Sequence, residues 1–166
     1  PSVVLLEPGA RGDILSLGVA KTGQNQDNGG KAIHLAPHTS STIIAKSISL
    51  GGGICSYRGK IYIDQAAADA KTSTKCDALL MDAQSVSNTF PKNIIERPDA
   101  QIAHEATVSK VSEEQLFYMM SRGIDEDEAT GLIVNGFVDP IVKNLPMEYA
   151  VELNRLINLS MEGSVG

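Results

Sequence analysis

The sequence contains no tryptophan, three phenylalanines, four tyrosines and only two cysteines. So few aromatic rings leave little to form a stacking platform for a sugar. Two cysteines, Cys55 and Cys76, cannot build a disulfide framework. Nor can they alone hold an all-thiolate zinc ion or iron–sulfur cluster, which takes about four thiolates. Their scarcity fits a reducing, cytosolic compartment. No apolar run approaches the length of a membrane-spanning helix, and no signal-peptide pattern opens the chain. There is no basic stripe, so nucleic acid is not an expected partner. The net charge is −6, and it is unevenly spread. Residues 1–110 carry eleven Lys/Arg against ten Asp/Glu, whereas residues 111–166 carry three against ten. The acidic tail reads as a solvated face or as a docking surface for a basic partner. Because Pro1 leads straight into apolar VVLL, the chain reads as an excised piece whose sheet continued upstream.

What is present is a series of short β-prone segments, then a helical tail. Val3–Leu6 and Ile14–Ala20 flank the turn Pro8-Gly9, and the Arg11-Gly12-Asp13 triplet is read as an ordinary turn. Thr22–Lys31 reads as a polar, glycine-rich loop. Ala32–Leu35, Thr42–Leu50, Gly59–Gln65, Cys76–Met81 and Gln101–Val108 follow as strands bounded by Gly, Ser, Asn, Asp or Pro. No long helical pattern separates them, which disfavours a doubly wound sheet. Their apolar centres recur at roughly 15–25 residues, near a solenoid repeat. An antiparallel sandwich and a β-helix both remain open. Alternation predicts that Cys76 and His104 face inward, and that Leu79 and Met81 lie on an outer surface that something covers.

The tail begins at Ser112, placed to cap a helix over Glu113–Arg122, with Gln115 at the capping-box offset and Gly123 at its stop. Asp125 caps a second helix from Glu126 to about Phe137, bounded by Pro140. Pro146 opens a third, reaching about Met161 with Gly163 beyond. Val151, Leu153, Leu156, Ile157 and Leu159 supply much of its apolar surface.

The chemistry on offer is narrow. Gly53 to Lys60 superficially resembles a phosphate loop, but five residues separate its glycines and Ile61 replaces the magnesium-binding Ser or Thr. It reads as a turn, with Cys55 incidental in it. Cys76 follows Lys71 and Lys75, whose ammonium groups would favour the thiolate. His104 and Glu105 must point to opposite sides of a strand, so they do not chelate one metal without a bulge. A Cys/His/Glu set suits incompletely ligated iron better than a closed zinc site. His34 and His38 are read as structural. Asp64, Asp77 and Asp82 would be the carboxylates of a polysaccharide-acting β-helix enzyme.

The segments KAIHLAPHTSSTIIAKSIS, YRGKIYI, KCDALLM, QIAHEATVSKVSEEQLFYMMSRGI, LIVNGF, LPMEYAVEL and SMEGSVG resemble the SufB subunit family of the SUF iron–sulfur cluster assembly system. The resemblance covers nearly the whole chain. It implies a mainly β fold with α: a right-handed parallel β-helix over residues 1–110, then a helical domain over 111–166. It implies a scaffold rather than an enzyme, building a nascent cluster that this piece alone does not hold. The implied partners are a SufC-type ATPase, a SufD-type paralogue and a sulfur donor protein. The functional cysteine falls on Cys76, as sulfur acceptor or cluster ligand, and the family's His-Glu pair on His104 and Glu105. Another Glu that some members carry before that histidine is Ala103 here. The ATPase-docking helices fall on the tail, with Glu113, Glu114, Leu116, Phe117, Tyr118 and Arg122 as the expected contacts. A sulfur-accepting cysteine and a cofactor-binding part would lie before Pro1. Self-association is expected through Leu79 and Met81 or through the β-helix end that truncation leaves open. The rival readings are a structural partner subunit without thiol chemistry and the polysaccharide enzyme.

Overall fold

A computed structural model describes residues 1–161, which form eight strands and three helices; Gly163 lies outside them. The strands are β1 (Ser2–Leu5), β2 (Arg11–Ala20), β3 (Asn25–His34), β4 (Ser40–Ser49), β5 (Ile54–Ile63), β6 (Lys71–Leu80), β7 (Val86–Ile95) and β8 (Gln101–Lys110). Odd strands pair in the order β1-β3-β5-β7 and even strands in the order β2-β4-β6-β8. Every pairing is parallel. Consecutive strands therefore alternate between two sheets, and the chain coils into a β-solenoid of about four turns. The antiparallel sandwich is excluded.

Each turn contains two strands. Ser2 stacks on Lys31 and Ile54 on Val86, offsets of 29 and 32 residues. The shorter interval in the apolar pattern is thus half a turn. Thr22–Lys31 is not a loop, because Asn25–Lys31 belongs to β3, sandwiched between β1 and β5. Its polar residues pair their backbone on both sides, which outweighs weak strand propensity. Likewise, Ile54–Lys60 is strand and not turn. Val86–Ile95, invisible as a strand in the sequence, runs along β5 as an edge, a setting that tolerates Pro91.

Inward side chains stack into columns. Ile14, Ala32, Ile43, Ile61 and Ile63 fill the space between the sheets, together with Tyr57 and Cys76. A second core lies outside the solenoid. The outer face of β4 and β6 presents Ile48 and Leu79, and α2 (Glu126–Val142) and α3 (Met147–Met161) cover them with Val134, Val138 and Ile157. Each such side chain taken from water contributes about 1.5–3 kcal/mol. Leu79 is therefore covered by the chain's own helices. Met81, partly buried, packs against the same cluster, so little of this pair is left for self-association.

Helix starts follow local chemistry. Ser112 accepts the Gln115 N–H at α1 (Glu113–Met120), and Asp125 accepts the Glu128 N–H at α2. Gly123, at φ +90°, ends the first helical segment. Pro140 does not bound α2, which continues to Val142. It stands in the last turn; it lacks the N–H that would reach the Gly136 carbonyl, but only two helical residues follow it. Ile157 and Leu153 of α3 face the core, whereas Val151, Leu156 and Leu159 are exposed.

Candidate functional site

Cys76 sits at the middle of β6, and its column on the inner face runs Ser16, Ala45, Cys76, Ala106. The neighbouring column runs Ile14, Ile43, Thr74, His104. The two functional candidates are thus offset by one column, and His104 reaches diagonally so that Nε2 lies 3.7 Å from Cys76 Sγ. Both face inward, as alternation predicted. They differ in burial. Cys76 is buried, whereas His104 is exposed because β8 is the last strand of its sheet.

Glu105 points the other way, toward Lys75, with Oε2 3.6 Å from its Nζ. It does not join Cys76 and His104 on one metal, and among the described residues no group of three His, Cys, Asp or Glu side chains converges. Two donors, a thiol and an imidazole, remain at the open turn. They fit part of a coordination shell and require the rest from elsewhere.

Lysine neighbours do not activate the thiol. Burial pushes Cys76 up to about 11, the Asp77 carboxylate adds to this, and Tyr57 partly offsets it. Lys71 and Lys75 lie on the exposed outer side of the strand. Tyr57 of β5 faces Cys76 across the interior, its buried hydroxyl lacking a well-formed hydrogen bond. Burial, then the thiol, raises the phenol well above its ordinary value. Cys76 and Tyr57 also line a cavity of about 20 Å³ with Asn28, Ser47 and Ser56, close to the size of one water. Tyr57 escaped sequence reading because the flanking glycines suggested a turn; its alternation with Cys55 and Gly59 was the available signal.

The other candidates have structural settings. Cys55 is buried in β5, its thiol 3.6 Å from the Ile48 carbonyl. His34 is fully buried between Thr39 and Ser41 hydroxyls, each at 2.9 Å, while His38 stands exposed at a corner near Asp69. Asp64 accepts from the Tyr62 hydroxyl, Asp82 from the Gly51 and Ser85 N–H groups, and Asp77 from Lys46. These carboxylates serve local bonds and do not form one catalytic cluster.

On α1 no residue is buried. Phe117 is 74% exposed and Tyr118 57%, with the Arg122 guanidinium 4.7 Å above the Tyr118 ring. Glu113 and Glu114 occupy the first turn, where the helix dipole favours them. Leu116 is half-buried, and Glu114 and Tyr118 line a groove completed by Leu132 and Ile133 of α2. No described helix is long and apolar enough to cross a membrane.

Comparison with known proteins places these features in a family. The profile described as "SUF system FeS cluster assembly, SufBD core domain" matches residues 1–137. The chain is 56% identical over its whole length to the "Iron-sulfur cluster assembly protein SufB" of Bacillus subtilis, covering 36% of that protein. It is 55% identical to SufBD family proteins of Staphylococcus epidermidis and Mycobacterium tuberculosis, covering 36% and 20% of them. The chain thus spans about a third or less of these relatives.

Proposed function

Because the chain belongs to the SufBD family of iron–sulfur cluster assembly proteins, we propose that it is the part of a scaffold subunit that presents Cys76 and His104 to a nascent cluster. The observation that carries this reading is the 3.7 Å approach of thiol and imidazole at the uncovered end of the solenoid. The cluster is cargo here. Cys76 accepts sulfur or ligates iron, and His104 supplies a nitrogen ligand. A SufD-type paralogue seated on the open β7–β8 turn completes the shell, while Glu105, on the outer side, orders Lys75 and can reach iron only if the strand rearranges.

In this reading residues 1–110 are the scaffold unit and residues 111–166 the docking unit for a SufC-type ATPase. Glu113, Glu114, Phe117, Tyr118 and Arg122 form the contact, with Leu116 packing beneath, and a separate donor protein brings sulfur. Hydrolysis belongs to the ATPase, so this chain is a scaffold and not an enzyme. The buried free thiols suit a cytoplasmic setting. Without a paralogue, two copies pair through the open edge of β7 and β8. The reading as a partner subunit without thiol chemistry is disfavoured by the Cys76–His104 contact.

The test is Cys76→Ala in the full-length subunit with its partners. Reconstituted cluster, read from its visible charge-transfer absorbance, should fall to background while the complex still assembles. Cluster formation at the parent level would remove the thiol from the mechanism.

A further inference from the structure

Lys46 is an anomaly of the outer face. It projects from the same face of β4 as Ile48, yet it is only 8% exposed. Its ammonium lies 2.8 Å from Asp77 Oδ2, its register partner on β6. Thr107 of β8, next in the same column, donates to Asp77 Oδ1 at 2.5 Å. The remaining side is closed by α2, whose Phe137 ring centroid is 4.3 Å from the ammonium. One cluster thus joins β4, β6, β8 and α2. It touches β6 at the residue following Cys76 and β8 three residues beyond His104.

A buried ion pair is a poor way to hold apolar surfaces together, since hydrophobic side chains of similar size often do as well or better. What such a pair supplies is register, because its strength depends on geometry and on exclusion of water. We propose that Lys46 is a positioning residue that ties the seat of α2 to the strands carrying Cys76 and His104. While Phe137 covers the ammonium, the Lys46–Asp77–Thr107 bonds hold β6 against β8 and keep the thiol enclosed. When α2 lifts, water reaches the pair, its attraction weakens, and β6 and β8 loosen at the site. This rests on the reading of Cys76 as the functional thiol and of the helices as the docking unit. It deepens that reading by naming how a pull on the helices reaches the thiol.

The test compares Lys46→Met, Lys46→Arg and Phe137→Leu in the full-length subunit assembled with its partners. N-ethylmaleimide alkylation is followed on the Cys76 peptide by mass spectrometry, with deuterium uptake of β6 and β8 alongside. Lys46→Met should alkylate at least about tenfold faster and lose protection in both strands. Lys46→Arg should stay within about twofold of the parent, because a guanidinium keeps both the carboxylate bond and the ring contact. Phe137→Leu keeps apolar bulk but removes the ring face, and should alkylate about threefold faster. A Lys46→Met rate equal to the parent's overturns the proposal, as does Lys46→Arg matching Lys46→Met. If Lys46→Met fails to fold, Phe137→Leu decides, and a parent-like rate there is fatal. None of these readouts requires a cluster, so failure of the scaffold reading is seen separately, in the Cys76→Ala reconstitution.

Discussion

A methyl group added at Gly59 would fall 2.8 Å from Tyr57 Cε1 and 2.9 Å from its hydroxyl oxygen. The two residues share the inward face of β5, so the bare glycine makes room for the ring beside Cys76. Gly59→Ala should therefore cost about 1–3 kcal/mol in urea unfolding, the range for overpacking a core. Tyr57→Phe should behave oppositely. Removing a buried hydroxyl without a good partner is expected to be neutral, or stabilising by about 1 kcal/mol. A clear loss of stability in Tyr57→Phe would mean that the hydroxyl is bonded in solution.

Leu79 is 4% exposed, beneath Val134, Val138 and Ile157. Leu79→Ala should cost about 2–5 kcal/mol through the cavity it leaves. Because that cavity lies between helices and sheet, limited proteolysis should accelerate in residues 126–161 before it does in the solenoid. Uniform acceleration would show that the two parts unfold together.

His34 gives the fold an acid sensitivity. Burial holds its imidazole below the ordinary value, so the folded state takes up a proton less readily than the unfolded chain. Above the ordinary value both states are neutral and His34 contributes nothing to the pH dependence. As pH falls from there toward the folded value, the unfolded state binds the proton first and stability drops, by at most about 1.4 kcal/mol per pH unit. Denaturant midpoints compared at about pH 7 and about pH 5.5 should show this decline, and His34→Gln should remove part of it. An unchanged slope in that variant would assign the decline to other groups.

Phe117 and Tyr118 are exposed, on a helix with no buried residue. Phe117→Ala should leave the thermal midpoint unchanged while weakening binding of the ATPase partner proposed above by about 2 kcal/mol, the scale of an interfacial hot spot. A thermal unfolding scan reads the midpoint and titration calorimetry the affinity. Unaltered affinity would move the docking surface elsewhere, first to the exposed Met147, Tyr149 and Val151 of α3.

Local chemistry was legible where one residue's own backbone decides the outcome. Ser112 and Asp125 cap the helices they were read to cap. Alternation in Gln101–Val108 put His104 inward and Glu105 outward, and both directions hold. Reading failed where a neighbouring turn overrides propensity. The polar stretch Asn25–Lys31 and the proline-bearing Val86–Ile95 are strands because β5 lies beside them. The thiol's environment also reversed. Lysines close in sequence suggested activation, yet they stand on the far side of the strand, and burial governs Cys76 instead.

By itself the order of residues determined the helix starts at Ser112 and Asp125, strand facing in Gln101–Val108 and the opposite directions of His104 and Glu105, since these depend on the alternation and capping of adjacent peptides. Only the coiled structure decided that Lys46 meets Asp77, that Thr74 stacks under His104, and that Leu79 is sheltered by Val134. Those contacts join residues separated by about one turn or more. Their geometry comes from parallel ladders whose offset the corners set, and no local pattern specifies that offset.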